Sequence, residues 1–596
     1  MRRILAVLLI HGGSMRRSSL FSLSFFALLL ITFAVSAFAD VRVTDQTYIR
    51  QDGGNDHVIA TCSSDLLAST AGGNRQQNEP SVAVKPDEPT FIVVGANDDC
   101  TVPSFGDGWE GVYVSANGGA SFTDSLLPGY PGDTSSAGQA SPIFPVDTAV
   151  SDPILDWDTL GDLFVGGIAF NRTVRTGAIT QTNGNMVVAT YMRDTSSALG
   201  IAYLRTVVVG PGTPSANFFG RFNDKPSLKV DAWGGSPNKG NVYVAWTLFP
   251  GAGQDKVLFS RSADHGQTFS KPTILSMSIA NAQGSGIAVA PDGAVYVIWR
   301  QFAFVAHGID NAIVFVKSTD GGKTFTNPRV IRLIHGYDRS DVLVSGARAR
   351  DCGSGPFLCL SGFTFHRSDS LPQAVADKHG NVYVTWEEVT PAPDNGDTYH
   401  PDGQSQVVLT KSADGGASWS TPAKIDAQSV GHQWWPKLAY DKSKDTLAVV
   451  YFDSREDPSY SVNRPPGNLA DGTSVCGTPV GSVVCDVLNA FFATSVDQGA
   501  TWTATKISSV GHQPEYEMFG GRQVPFHGDY LGIDAAMGTL FGTWTDNRDV
   551  VPGTDPRETP DGFDVLQCRA TPTSPDTCAN AGGVNQNIFG AALSIP

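Results

Sequence analysis

Five times along the chain the same eight positions recur. They are Ser115–Phe122 (SANGGASF), Ser262–Phe269 (SADHGQTF), Ser318–Phe325 (STDGGKTF), Ser412–Trp419 (SADGGASW) and Ser495–Trp502 (SVDQGATW). The form is Ser-x-Asp-x-Gly-x-Ser/Thr-aromatic, with Asn117 where the other copies carry Asp264, Asp320, Asp414 and Asp497. A side-chain carboxylate or amide oxygen at that place accepts backbone N–H groups inside a tight turn. The shared glycine supplies the positive φ that such a hairpin demands. The closing Phe or Trp buries a large ring between strands. The spacing serves the turn, so these five Asp/Asn residues read as structural. A β-rich run precedes the motif, as in Val257–Ser260 or Ala312–Val316.

A second unit alternates with the first: an apolar strand, a turn, then a strand ending in an aromatic and polar residues. It opens at Pro80, Pro153, Pro226, Gly286, Pro372, Pro436 and Tyr530. One such hairpin plus one boxed hairpin makes four antiparallel strands, the blade of a β-propeller. The expected fold is therefore all-β, a propeller of seven four-stranded blades. Six is the alternative, with either the second unit or the seventh outside the ring. The second has only a degenerate box near Met192–Ser196, and the seventh has none. Candidate outer strands for the seventh are Asp564–Cys568 and a terminal segment, and either Val41–Thr44 or Asn587–Gly590 closes the ring. A tandem array of β-sandwiches is the competing all-β reading. Abundant Gly (64) and Pro (36), with charged residues at only 17%, suit many short strands and turns rather than long surface helices.

The N-terminus reads as a targeting segment. Arg16 and Arg17 precede a mostly apolar stretch from Leu20 to Val35, and Ala37-Phe38-Ala39 fits a cleavage site before Asp40. A complete signal peptide also begins at Met15, and an uncleaved anchor is the alternative. The expected organisation is a signal peptide over 1–39, an extension or closing strand over 40–74, and the propeller over 75–596. The product is secreted or periplasmic, a monomer, with no membrane span after cleavage. Removing 1–39 takes four of the 41 basic residues and none of the 58 acidic ones, leaving a net charge of −21. Such a field opposes nucleic acid and anionic lipid. The eight cysteines form four sequence-local couples: Cys62/Cys100, Cys352/Cys359, Cys476/Cys485 and Cys568/Cys578. With an export signal they read as disulfides of undetermined connectivity, and no CxxC spacing supports zinc. The acidic loops Asp394–Asp397 and Asp555–Glu558 lack a recognised calcium spacing, so no cofactor is assigned and structural calcium is left without support.

Strand direction locates a candidate site. If the boxed turn lies on one face, the starts of the innermost strands and the ends of the second strands share the opposite face. Seven repeats aim those ends at one mouth. Strand starts bring Glu79, Asp152, Asp224, Lys225, His527, Asp529 and Tyr530. Strand ends bring Asp98, Asp99, Arg300, Glu387, Glu388, Asp453, Arg455, Glu456, Asp546 and Arg548. Arg300, Arg455 and Arg548 offer a carboxylate clamp, with Glu79, Asp98, Asp224 and His527 as further ligand contacts. Tyr530, Asp529 and Glu387 are the candidate nucleophile, acid and base. The competing reading is structural: Asp453-Ser-Arg455 and Asp546-Asn-Arg548 repeat one grammar in two blades, as inter-blade salt bridges would.

The boxes are those called Asp boxes, and with Asn78-Glu79-Pro80, Asp224-Lys225-Pro226, Gly528-Asp529-Tyr530 and Trp544–Arg548 they resemble the sialidase superfamily of bacterial secreted BNR-repeat propellers over roughly residues 75–550. The resemblance implies a propeller and a glycoside hydrolase acting on extracellular glycans, with exo-sialidase chemistry its narrowest form. Those sialidases share an Arg-Ile-Pro motif, and the equivalent place here reads Asn78-Glu79-Pro80. The alternative is a non-catalytic propeller that binds glycan or an extracellular protein.

Overall fold

The structure is a computed structural model. It describes residues 40–44, 47–52, 55–61, 77–98, 108–171, 174–175, 178–179, 184–213, 221–250, 254–277, 281–303, 308–337, 368–391, 403–458, 460, 462, 487–512, 527–549 and 586–595. The four cysteine couples expected as disulfides, Cys62 and Cys100, Cys352 and Cys359, Cys476 and Cys485, and Cys568 and Cys578, all lie outside the described residues. So do Asp99, the segment Asp564–Cys568 and the acidic loops at 394–397 and 555–558.

Seven antiparallel sheets form the ring. Blade 1 runs outward from Gln77–Val84 through Ile92–Asp98 and Trp109–Ser115 to Thr123–Leu126. Blade 2 is Ala149–Trp157, Asp162–Phe170, Asn185–Arg193 and Ile201–Gly210. Blade 3 is Phe222–Val230, Val242–Phe249, Lys256–Ser262 and Thr273–Ile274. Blade 4 is Ala282–Val289, Val295–Gln301, Ala312–Ser318 and Arg329–Leu333. Blade 5 is Gln373–Ala376, Val382–Pro391, Gly403–Ser412 and Ala423–Lys424. Blade 6 is Gln433–Asp441, Thr446–Asp453, Asn489–Ser495 and Thr503–Lys506. Blade 7 is Gly532–Ala536, Thr539–Asp546, Asn587–Ser594 and Val41–Arg42. Each innermost strand packs on the next around the ring, and the last returns to the first. Among the described residues the one α-helix is Ser136–Gln139.

Both termini close the ring. The C-terminal strand is the third of blade 7 and Val41–Arg42 its outermost, pairing with Gly590 and Phe589. The Thr47–Asp52 and Asn55–Thr61 hairpin instead extends blade 1, through a parallel pairing of Tyr48 with Asp124. Blade 2 belongs to the ring despite its degenerate box. Its turn is tied by Asp194, which accepts the Ser196 N–H and hydroxyl at 2.9 and 2.6 Å.

The core is a series of layers between blades. Second strands such as Val295–Gln301 are buried at every position, because neighbouring blades cover both faces; hence a continuous apolar run rather than an alternating one. In the layer between blades 3 and 4, Tyr243 and Phe259 pack with Ile287, Val297 and Trp299. Trp246, Trp299, Trp386 and Trp544, near the ends of their strands, are fully buried.

The boxes are hydrogen-bonded turns whose rings reach the preceding blade. Ser318 Oγ accepts the Gly322 N–H at 2.9 Å and donates to Asp320 Oδ1 at 2.8 Å. Asp320 accepts the Thr324 N–H at 2.9 Å and its hydroxyl at 2.6 Å. Asp264, Asp414 and Asp497 repeat this with Thr268, Ser418 and Thr501. Asn117 accepts the Ser121 N–H and donates Nδ2–H to the Ser121 hydroxyl. Gly322 sits at φ 77°, and a Cβ there would lie 2.9 Å from the Phe259 ring of blade 3. The box aromatic follows it: Phe325 meets Phe259 edge-on at 4.8 Å.

Candidate functional site

Five of the seven innermost strands share one irregularity near their starts. Two residues face one on the second strand at Glu79-Pro80, Asp152-Pro153, Lys225-Pro226, Gly284-Ser285 and Trp435-Pro436. These are β-bulges, where proline loses nothing by lacking an N–H. The first residue of each is left-handed: Glu79 at φ 55°, Asp152 at 59°, Lys225 at 48°, Gly284 at 63° and Trp435 at 53°. For the non-glycine residues that costs on the order of 1 kcal/mol each. The repeated strain turns one end of the ring into a collar of side chains around the axis.

Polar groups from blades 1, 2, 3 and 7 meet there. Lys225 Nζ of blade 3 donates to Asp529 Oδ2, at the start of blade 7, at 2.6 Å. Asn97, at the end of the second strand of blade 1, donates to Glu79 Oε2 at 2.8 Å and accepts the Asp152 N–H at 2.9 Å. The Lys225 N–H reaches Asp152 Oδ2 at 3.3 Å and Asp224 Oδ1 at 2.8 Å. That one N–H gathers the Asp152 and Asp224 carboxyls beside each other. Burial first, then the charges of Glu79 and Asp224, pushes Asp152 well above the usual carboxylate range. Burial likewise pushes the Tyr530 phenol well above 10, helped by Asp152 and Glu79. Its hydroxyl is buried without a hydrogen bond among the described residues. Lys225, Asp529, Tyr530, Glu387 and Trp435 line a cavity of about 50 Å³, room for a water or two but not for a sugar ring.

The structure thus brings Glu79, Asp224, Asp529 and Tyr530 together, with Asp152 and Lys225 among them. Glu387 lines the same cavity, fully buried, and accepts the Ser368 hydroxyl at 2.6 Å. Other candidates are placed elsewhere. Asp98 accepts the Tyr48 and Tyr113 hydroxyls at 2.7 and 2.6 Å, fixing the N-terminal hairpin to blade 1. His527 Nε2 lies 3.0 Å from His512 Nε2, the two rings stacked.

The three arginines do not converge. Arg300, fully buried, donates to the Asp369 carbonyl at 3.0 Å and to Asn311 Oδ1 at 3.1 Å. Arg455 pairs with Asp453 at 2.6 Å and with Asp426, on the segment leaving blade 5. Arg548 pairs with Asp546 and Asp40, each at 2.7 Å, and reaches the Ser509 hydroxyl on the segment leaving blade 6. None lines the cavity. The carboxylate clamp expected from the sequence is replaced by stitches between neighbouring blades, because each guanidinium finds acidic or carbonyl partners at the seam beside it.

Asp152 and Lys225 were legible as strand starts at this mouth, but the sequence assigned them no catalytic or binding role. The signal was the Xaa-Pro dipeptide opening the inner strands, shared by Glu79-Pro80, Asp152-Pro153 and Lys225-Pro226. Among the described residues no group of His, Cys, Asp and Glu has the geometry to hold a metal.

No protein-family model and no curated protein matches the chain. It is similar to several solved structures. One is an α-L-arabinanase from Penicillium chrysogenum complexed with arabinobiose, at 12% identity, covering 63% of this chain and 88% of that one, TM-score 0.36. Another is the sialidase of Trypanosoma rangeli in complex with the inhibitor DANA, at 12% identity, covering 70% of this chain and 57% of that one, TM-score 0.37. A third is a protein of unknown function from Dyadobacter fermentans, at 11% identity, covering 94% of this chain and 100% of that one, TM-score 0.36. The class of protein rests on the strand order: a β-propeller of seven four-stranded antiparallel blades, the fold that the resemblance to the sialidase superfamily implies.

Proposed function

We propose that the chain is an extracytoplasmic glycoside hydrolase working at the bulged mouth. The observation that carries this reading is the buried Asp152 carboxyl, which shares the Lys225 N–H with Asp224 and feels Glu79, with the Tyr530 phenol in the same field. Burial, with the charges of Glu79 and Asp224 beside it, favours the protonated form of Asp152. Asp152 is assigned as the general acid that protonates the leaving oxygen. Asp224 and Glu79 are the carboxylates that stabilise positive charge at the anomeric carbon or activate water. Tyr530 is assigned as a hydrogen-bond donor rather than a nucleophile, since the surrounding carboxylates oppose a phenolate. The arginines are committed to the blade seams, so the substrate favoured is a neutral glycan rather than an anionic sugar. The sugar rests on the collar, above the small cavity.

The test is release of reducing ends from a panel of neutral polysaccharides and aryl glycosides by the purified chain. Turnover of at least one glycan is expected, with Asp152→Asn about 10²- to 10⁴-fold slower. Binding without turnover, on every glycan tried, would overturn the assignment in favour of a non-catalytic glycan-binding propeller.

A further inference from the structure

Beyond the mouth the ring axis opens into a second cavity of about 250 Å³, lined by the innermost strands of all seven blades. Much of its wall is apolar, as at Val82, Leu155 and Ile287. Six charged side chains nevertheless line it: Lys229, Lys437 and Lys442, with Asp156, Asp441 and Asp534. Lys229 of blade 3 pairs with Asp156 of blade 2 at 2.9 Å. Asp534 of blade 7 accepts the Val84 N–H at 2.8 Å and is attracted by Lys229. Lys442 of blade 6 spans the ring to donate to the Ala232 carbonyl at 3.2 Å, with its ammonium 4.4 Å from the Trp233 ring centroid. Lys437, also of blade 6, has no acceptor among the described residues and is repelled by Lys229.

Three ammonium groups thus face three carboxylates, of which Asp156 is paired with Lys229 and Asp441 is taken up by the Gly538 N–H and by the N–H and hydroxyl of Ser443, so none is bonded to Lys437. Burial, and then Lys229, pulls both Lys437 and Lys442 down to about 8, and burial pushes Asp534 up to about 6. An unpaired ammonium at such a place is costly, and a counter-ion removes the cost. We propose that the axial channel is a binding site for a small oxyanion, seated against Lys437 Nζ with Lys229 and Lys442 supplying the field. Lys437 lines both this channel and the mouth cavity, so the anion enters from the mouth. Lys442 and Trp233 bridge the other end. The site is independent of the glycosidase reading, and phosphate and a sugar carboxylate share the chemistry it recognises.

The test uses the full chain at pH 7 and constant ionic strength. Chloride is exchanged for inorganic phosphate in one arm and for glucuronate in the other, and the thermal midpoint is followed. A saturable rise of about 2 °C is expected at a hundredfold excess over Kd. A response to phosphate alone identifies a free inorganic ion, and one to glucuronate alone a sugar carboxylate. The rise is expected to vanish in Lys437→Met and to persist in Lys424→Met, a change on an exposed outer strand. No saturable rise in either arm, or a rise that survives Lys437→Met, overturns the proposal. Should Lys437→Met fail to fold, a selenate soak of wild-type crystals decides: anomalous density is expected beside Lys437 Nζ, and an empty channel contradicts the site. Neither outcome bears on glycan turnover.

Discussion

The two ends of the ring use aspartate to opposite effect. At the boxed end each carboxylate sits in a turn that surrounds it with donors. The Ser418 and Thr501 hydroxyls and N–H groups hold Asp414 and Asp497 down at about 2. Asp264 is held at about 2 by Ser262 and Thr268 in spite of partial burial. At the bulged end Asp152 is buried against Glu79 and Asp224 and moves the other way. The difference lies in what faces the carboxylate. A turn satisfies its own aspartate locally and gains stability from its charge. The collar crowds carboxyls from separate blades together and loses stability by it, an arrangement that proteins keep where they do chemistry.

The largest effect expected from this contrast is on activity. Asp152→Asn is expected to remove about 10²- to 10⁴-fold of glycan turnover without lowering the thermal midpoint, measured by reducing-end release and calorimetry. A fall in both together would make Asp152 a folding residue like those of the boxes.

Next comes closure of the ring. Arg548 joins Asp40, on the first described residue, to Asp546 at the end of a second strand. Replacing it leaves buried Asp546 short of a cation. Arg548→Met is expected to cost about 2 kcal/mol and to expose the Val41–Arg42 strand to hydrogen exchange before blade 4. Simultaneous exchange of the two would contradict the role given to this stitch.

A boxed turn is expected to matter less. Asp264→Ala removes acceptors for the Thr268 N–H and hydroxyl and should cost about 1 kcal/mol, since the freed donors can reach water. Glycan turnover should be unchanged, which kinetics on the variant can check.

The smallest effect is a pH signature of opposite sign at the two ends. The box aspartates have folded pKa values below the unfolded one, so their stabilisation is present above pH 4 and is lost as pH falls toward 2. Asp152 has a folded pKa above its unfolded value, so its cost is absent below pH 4 and grows as pH rises toward neutrality. The midpoint difference between Asp152→Asn and wild type should therefore become more positive from pH 4 to pH 8. For Asp264→Ala it should shrink as pH falls below 4. Parallel curves for the two variants would erase the distinction drawn between the ends.

How much of this was legible in the sequence follows from what is local. Each box and each inner hairpin is set by a few adjacent residues, so the blades could be counted from Ser-x-Asp-x-Gly and from strand-turn-strand runs. Strand direction then placed Glu79, Asp152, Asp224, Lys225, Asp529 and Tyr530 at one mouth. Closure was left open between Val41 and Asn587 because it joins residues at opposite ends of the chain, and the strand concerned is two residues long; the structure uses both. The degenerate box of blade 2 was ambiguous because Asp194 keeps the turn while the Ser and Gly positions around it differ. Asp-x-Arg pointed equally to a clamp and to seam bridges, and only the positions of Asp426, Asp40 and Ser509 separate them. The lysine cluster had no signature, since Lys229, Lys437 and Lys442 come from two blades and meet only across the axis.

The most direct test of the contrast is a paired measurement of turnover and thermal midpoint on Asp152→Asn and Asp264→Ala. Loss of turnover with an undiminished midpoint in the first, and a lowered midpoint with full turnover in the second, is the expected result. Full turnover in Asp152→Asn, or loss of it in a folded Asp264→Ala, would contradict the assignment of chemistry to the bulged end and folding to the boxed one.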